Sequence, residues 1–263
     1  KLPSMYHQFH QLAGIDITRE PMEVGPTTHY MMGGVRVDPE TQMSTVQGLF
    51  AAGECGAGLH GANRLGGNSL SDLLVFGKRA GDYAAQFARE RGGGKVDEAQ
   101  VEEAHRQALL PLDGERPAKG VGPGAGGGEG PYAIQHELQA MMQDLVGIVR
   151  TGAEMERALD ALGGLRERAA RVRVAGNREY NPGWHTALDL PNLLTVSEAV
   201  TRAALERKES RGAQFRDDFP DKDAAFGKVN VVVKKGGDGA MQVERVPVPP
   251  MSAELQAIVE EMK

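Results

Sequence analysis

The stretch "KGVGPGAGGGEG" (119–130) constrains this chain most, because seven of its twelve residues are glycine. Such a segment has almost no side chains to bury and reads as a loop. A second glycine run, "RGGGK" (91–95), stops a helical pattern just upstream. A chain interrupted in this way cannot form one continuous layer. It must build a front and a back separately, and the pattern of apolar residues differs between them.

The front, residues 21 to 58, reads as β-rich. "GGVRVD" alternates, "DPET" is a turn, and "GLFAAGE" is a short apolar run closed by glycine, the pattern of a buried strand. From Asn68, "SLSDLLVFGKRAGDYAAQFARER" has helical spacing, with Asn68 or Ser69 as the N-cap and Gly92 as the stop. The back is helical: 97–110, 131–150 with Pro131 in its first turn, 152–172, and a fourth helix from about Leu188 to Lys208. The apolar face of that fourth helix is expected at Leu193, Leu194, Val196, Ala199, Val200 and Ala203. "KVNVVVKK", the "GGDG" turn and "AMQVERVPV" predict a β-hairpin, and "SAELQAIVEEMK" a terminal helix.

Composition excludes several classes. A formal charge of -6 argues against a nucleic-acid protein, whose affinity needs basic surface. One cysteine, Cys55, cannot make an internal disulfide framework or a thiolate metal cluster. No apolar run reaches membrane-spanning length, and "KLPSMYHQFH" reads neither as a signal peptide nor as a transit peptide. The expectation is a soluble protein of a reducing compartment, with Cys55 as a small buried thiol.

The chemistry concentrates in "LHGANRLGGNSLSD" (59–72). Glycines 61, 66 and 67 let backbone approach a flat or charged ligand, and the helix that follows presents free N–H groups at its positive end. Arg64, a planar fork of donors, is the side chain best matched to a carboxylate. By itself this is more simply a loop; it has neither the lysine of a P-loop nor a GxGxxG spacing. Two further pieces add weight. "TTHYMMGG" (27–34) sets His29 at a strand edge, and "GLFAAGE" runs into Glu54, a layout that suits an acid meeting a ribose hydroxyl.

Together, "HYMMGG", "GLFAAGE", "HGANRLGGNSL" with "DLLVFGKRAG", and "ESRGAQFRDDFPDKD" resemble the flavoprotein subunit of succinate dehydrogenase and fumarate reductase. The resemblance covers essentially the whole chain. It implies an α/β plus α architecture: the C-terminal portion of an FAD-binding Rossmann-like domain, a helical bundle domain and a small β-containing C-terminal tail. In those terms residues 1–20 would end a capping domain and 21–95 the FAD-binding domain. Residues 96–130 would be a helix and glycine-rich linker, 131–208 the helical domain and 209–263 the tail. It implies His29 and Arg64 as ligands of the substrate carboxylates, Glu54 at the FAD ribose, and the backbone N–H groups of Ser69 and Leu70 at the flavin. Succinate and fumarate would be the substrates and FAD the cofactor. Electrons would pass to an iron–sulfur subunit, then to a quinone-reactive membrane anchor. Localisation would be cytoplasmic, peripheral on the inner face of a bacterial plasma membrane.

The family's GxGxxG segment, and all of its capping domain but the last residues, with the arginine that shuttles the proton, have no counterpart in these residues. The resemblance therefore implies the C-terminal part of a larger subunit, inactive by itself. Gln214 stands where many relatives carry histidine, so no titration near neutral pH is expected there. L-aspartate oxidases share "HGANR" and the arginine-rich tail but differ around "HYMMGG" and "RLGGNSL", and a non-catalytic fragment that docks the iron–sulfur subunit is a further reading. The tail's Arg207, Lys208, Arg211 and Arg216, opposite Asp217, Asp218, Asp221 and Asp223, are expected as solvated ion pairs.

Overall fold

The computed structural model describes residues 3–25, 28–113 and 129–262. Most of the 119–130 glycine segment therefore lies outside the described residues. The chain divides into two compact units, Lys1–Met31 and Met32–Lys263.

In the first unit, helix α1 (Pro3–Ala13) carries Tyr6 stacked on His10, with centroids 5.6 Å apart. Gly14, at φ 69°, turns the chain out of the helix. His29 lies beyond it, exposed and outside regular structure.

The second unit contains α2 (Asn68–Arg91), α3 (Glu98–Leu109), α4 (Pro131–Leu145), α5 (Gly152–Ala169), α6 (Pro182–Glu206) and α7 (Ala253–Glu261). Strands β1 (Val229–Lys235) and β2 (Met241–Pro247) pair antiparallel, with Val233 opposite Val243. The core sits between α4, α5 and α6. Ile134 and Leu138 repeat every four residues on α4, while Met155, Ala158, Leu162 and Leu165 follow a three-four spacing on α5. Ile134, Leu138, Leu162 and Leu165 pack with Leu190 and Leu194 of α6, which are 0% exposed, while Met155 and Ala158 cluster with Val146 and Ala204. Each such leucine contributes about 1.5–3 kcal/mol on burial.

Short polar residues start the helices as their types dictate. The Asp97 carboxylate accepts the Ala99 N–H at 3.0 Å, and the Thr151 hydroxyl accepts the Glu154 N–H at 3.3 Å. Ser252 does the same for α7. The hairpin is fixed to the end of α6, where Arg245 Nε meets Glu206 Oε1 at 2.6 Å.

Several expectations need correction. The β-rich front forms only isolated bridges among the described residues: Val35 with Gly56, Val37 with Ser44, and Met43 with Phe50. Two turns explain this. Asp38 caps the first, with Gln42 at φ 58°, and Gly48 at φ 84° closes the second. They lie so close together that no longer ladder fits between them.

Helix α6 begins six residues earlier than expected. Asn181 accepts the Trp184 N–H at 3.0 Å, so "NPGWH" is the helix start, and Pro191 is carried inside the helix. Its buried face is Ala187, Leu190, Leu194, Glu198, Thr201 and Ala204; Leu193 and Val196 point outward. The shift became possible because Glu198 pairs with both Arg166 and Arg202, each at 2.7 Å, and is thereby tolerated inside. Helix α4 stops at Leu145, not Arg150. Arg150 folds back so that its Nε donates to the carbonyls of Val146 and Gly147.

Candidate functional site

Building the site starts at Gly34. A side chain there would place its Cβ 2.3 Å from the Cys55 carbonyl oxygen, and Gly34 sits at φ 136°. Only glycine lets this backbone run against the 53–57 segment. There the Val35 N–H donates to Cys55 O at 2.7 Å and the Ala57 N–H returns to Val35 O at 2.9 Å. The end of "HYMMGG" is thus stitched to the end of "GLFAAGE". Gly53 opens a 3₁₀ turn, Gly53–Cys55, and packs on the first turns of α2: a Cβ at 53 would come within 2.6 Å of Leu73 Cδ2. Glu54 in that turn is exposed. Cys55 is exposed too, contrary to the expected buried thiol, because the turn directs it outward and its thiol donates to Ala52 O at 3.2 Å.

The loop 58–67 bends at Gly58, Gly61 and Gly67, all at positive φ. Arg64 is half-buried within it, and its Nη1 donates to Leu65 O at 3.3 Å. His60 Nε2 approaches Asp72 Oδ2 at 3.3 Å, with side-chain exposures of 12% and 3%. That contact ties the loop to α2. Sequence patterning overlooked this pair, although twelve residues separate a histidine and an acid flanking the same loop.

Helix α2 has Gly67 as its N-cap, in the left-handed region at φ 83°, and no side chain caps the helix. This corrects the assignment of Asn68 or Ser69 as the cap. A chain leaving the "GG" pair needs the left-handed conformation, which glycine adopts freely. Ser69 is half-buried and Leu70 is 70% exposed. By helix geometry the first-turn N–H groups have no intrahelical acceptor. A Cβ built at Gly58, Gly61, Gly66 or Gly67 meets no described heavy atom within 4 Å. Bare backbone and two helix-start amides along this rim fit the electron-rich edge of a flat heterocycle, so the residues present are compatible with a flavin.

Glu54, Arg64, Ser69 and Leu70 all lie on the 53–70 segment of the second unit, while His29 belongs to the first. It also brings in residues that the sequence reading passed over. The Ala213 N–H donates to Ala62 O at 2.9 Å, which docks the tail on the Arg64 loop. Of the tail's charges, Lys208, Asp217, Asp218, Asp221 and Asp223 are exposed as expected and Arg207 and Arg211 are half-buried, but Arg216 is buried, and so is Glu209. Glu209 is 0% exposed and accepts from Arg207 at 2.5 Å and from Arg211 at 2.9 Å. Arg216 is 1% exposed and grips Asp218 with two bonds of 2.7 Å. Burial pushes the Glu209 carboxyl up, but bonds from Arg211, the Asp223 N–H and Arg207 outweigh it and hold it at about 2. Arg216 likewise lowers Asp218 to about 2, against the opposing effect of burial. The signal for Glu209 was present in "RKESR", an acid with arginines two residues to either side.

Comparison with known proteins identifies the setting. Residues 135–259 match the family described as fumarate reductase flavoprotein C-term, and residues 1–70 match the FAD binding domain family. The fumarate reductase flavoprotein subunit of Haemophilus influenzae is 35% identical, over 94% of this chain and 40% of its own length. Its namesake from Escherichia coli is 37% identical, over 83% of this chain and 35% of its own. Among solved structures, Mycobacterium smegmatis Sdh1 in complex with UQ1 superposes with a TM-score of 0.85 at 51% identity, covering 98% of this chain and 42% of that one. The chain thus spans about two fifths of the length of these relatives. It belongs to the succinate dehydrogenase/fumarate reductase flavoprotein family, whose cofactor is FAD.

Proposed function

We propose that this chain forms part of a flavoprotein subunit that interconverts succinate and fumarate. The observation that carries the reading is local. A half-buried arginine lies in a glycine-bent loop that runs straight into the start of a 24-residue helix, which no side chain caps. In this reading Arg64 holds one carboxylate of the dicarboxylate through its paired N–H donors, and His29 donates to the substrate as well. Glu54 accepts a hydroxyl of the FAD ribose, and the amides of Ser69 and Leu70 meet the electron-rich edge of the ring. FAD, when bound, supplies the two-electron chemistry. The protein's own share is orientation: fixing both ends of a small diacid removes most of its rotational freedom before reaction. The helix-start donors favour negative charge at the edge they face.

In the same reading residues 1–20 close a capping domain and 21–95 an FAD-binding domain. Residues 96–130 link these to the helical domain at 131–208, and 209–263 form the tail. The natural electron partner is an iron–sulfur subunit, with a quinone-reactive anchor beyond it and peripheral attachment at the inner face of a bacterial plasma membrane. Among the described residues no helix is long and apolar enough to cross a bilayer.

The deciding experiment is Arg64→Ala in the flavin-loaded enzyme. Dicarboxylate kcat/KM should fall by about 10²–10³ while flavin absorbance and stoichiometry persist. Loss of flavin with intact succinate or fumarate affinity would overturn the assignment. Assaying succinate against L-aspartate separates this reading from an L-aspartate oxidase.

A further inference from the structure

We infer that Gly212 is a positioning residue for Arg64, so that the C-terminal tail sets the grip of the carboxylate-binding loop. The inference rests on the reading of Arg64 given above. Its physical basis is a backbone-to-backbone contact between segments 150 residues apart in sequence. Gly212 sits at φ +60°, and a Cβ there would lie 2.4 Å from Ala62 O, 2.6 Å from Ala62 C and 2.8 Å from Ala62 Cβ. All but one of these atoms are main chain, so relief can come only from moving the loop or the turn. The contact is also bonded: the Ala213 N–H donates to that same Ala62 oxygen at 2.9 Å. Ala62 precedes Arg64 by two residues and follows Gly61, at φ +57°.

A clamp positions something only if it is itself fixed, and this one is held on both sides. Residues 211 and 214 exchange backbone bonds of 2.8 and 3.1 Å, which closes the turn. Arg211 is anchored by Glu209 through two bonds of 2.9 Å, and its Nη2 also reaches Asp223 O. Gln214 donates to the carbonyls of Ala204 and Arg207 at the end of α6, and accepts from Arg150 Nη1 at 2.8 Å. The helical bundle thereby holds the turn, and the turn holds the loop. On the loop's other flank stands the His60–Asp72 contact with α2. Arg64 follows both fixed points closely, four residues after His60 and two after Ala62. A shift of about 1 Å at Ala62 carries to the guanidinium, a displacement of the size that costs a positioned group up to about a hundredfold in rate.

The test has two arms. In this chain, Gly212→Ala should speed amide hydrogen exchange at Ala213 and across 58–67 by roughly tenfold or more, while amides of α5 stay unchanged. Wild-type exchange across 58–67 would overturn the clamp. In the flavin-loaded enzyme, Gly212→Ala should raise KM for succinate or fumarate by about 10- to 100-fold, with kcat within about threefold and flavin content intact. Combined with Arg64→Ala it should add nothing further, because both changes act on one contact; an additive loss would overturn the inference. Should Gly212→Ala fail to fold, Ala62→Gly decides. It leaves the tail intact and loosens only the loop, so KM should rise by a smaller factor, and an unchanged KM counts against the proposal. If Arg64→Ala itself leaves KM untouched, the carboxylate reading falls while the exchange result still reports on the clamp.

Discussion

The helical region and the region around Arg64 are built on different principles. Between Ile134 and Ala204 the chain buries a continuous set of apolar side chains on α4, α5 and α6. Within the described residues 32–113, Ala51 is the one apolar residue to reach the same burial, and Leu65, Leu70, Leu73 and Leu74 on and beside α2 are half to three-quarters exposed. Order in the front comes instead from turns, glycine geometry and single backbone bonds. The bundle is therefore a foundation stable by its own packing, while the candidate site is a thin backbone structure that borrows rigidity through the tail.

The sharpest way to break this contrast is to attack the junction. Glu209→Ala leaves Arg207 and Arg211 facing an empty buried position, and should cost about 3–5 kcal/mol in urea unfolding. A change under about 1 kcal/mol would mean the tail is not structurally joined to the bundle. Next, Leu162→Ala in the core should cost about 2–5 kcal/mol by the same measurement.

Acid offers a graded probe. Glu209 and Asp218 both titrate near 2, below their ordinary values of 4.5 and 3.8. Because folding depresses these values, their stabilisation is complete above about pH 4.5 and is lost as pH falls toward 2. Thermal midpoints should drop across that window, and Glu209→Gln should flatten the drop. The smallest effect belongs to the front: Leu74→Ala, at a site 76% exposed, should move stability by no more than about 0.5 kcal/mol. A larger loss would show that α2 has a core of its own.

What the sequence revealed follows the same division. Helical periodicity located the bundle because its elements are long, and Asp97, Thr151 and Ser252 mark helix starts by side-chain chemistry alone. The hairpin was legible from alternation around a glycine turn. The front was over-read as strands, since alternation in "GGVRVD" cannot say whether a partner ladder exists beyond one bridge. At the site, residue types marked Arg64 and Glu54, because glycines and a lone cation stand out in one dimension, while Ser69 and Leu70 were singled out only by the family resemblance. Gly212 and Ala62 did not, since their meeting depends on a main-chain approach that no side-chain pattern encodes. The tail's aspartates are exposed as their charge suggested, but charge count carries no information on burial, and Arg216 and Glu209 are inside because each has its full set of partners.

The outward-facing sulfur of Cys55 has a practical corollary. It is the chain's single thiol and adjoins Glu54, so a maleimide dye or spin label would attach at one address beside the proposed cofactor rim. Fluorescence or line shape from that probe would then follow occupancy of the rim in real time, without any substitution in the protein.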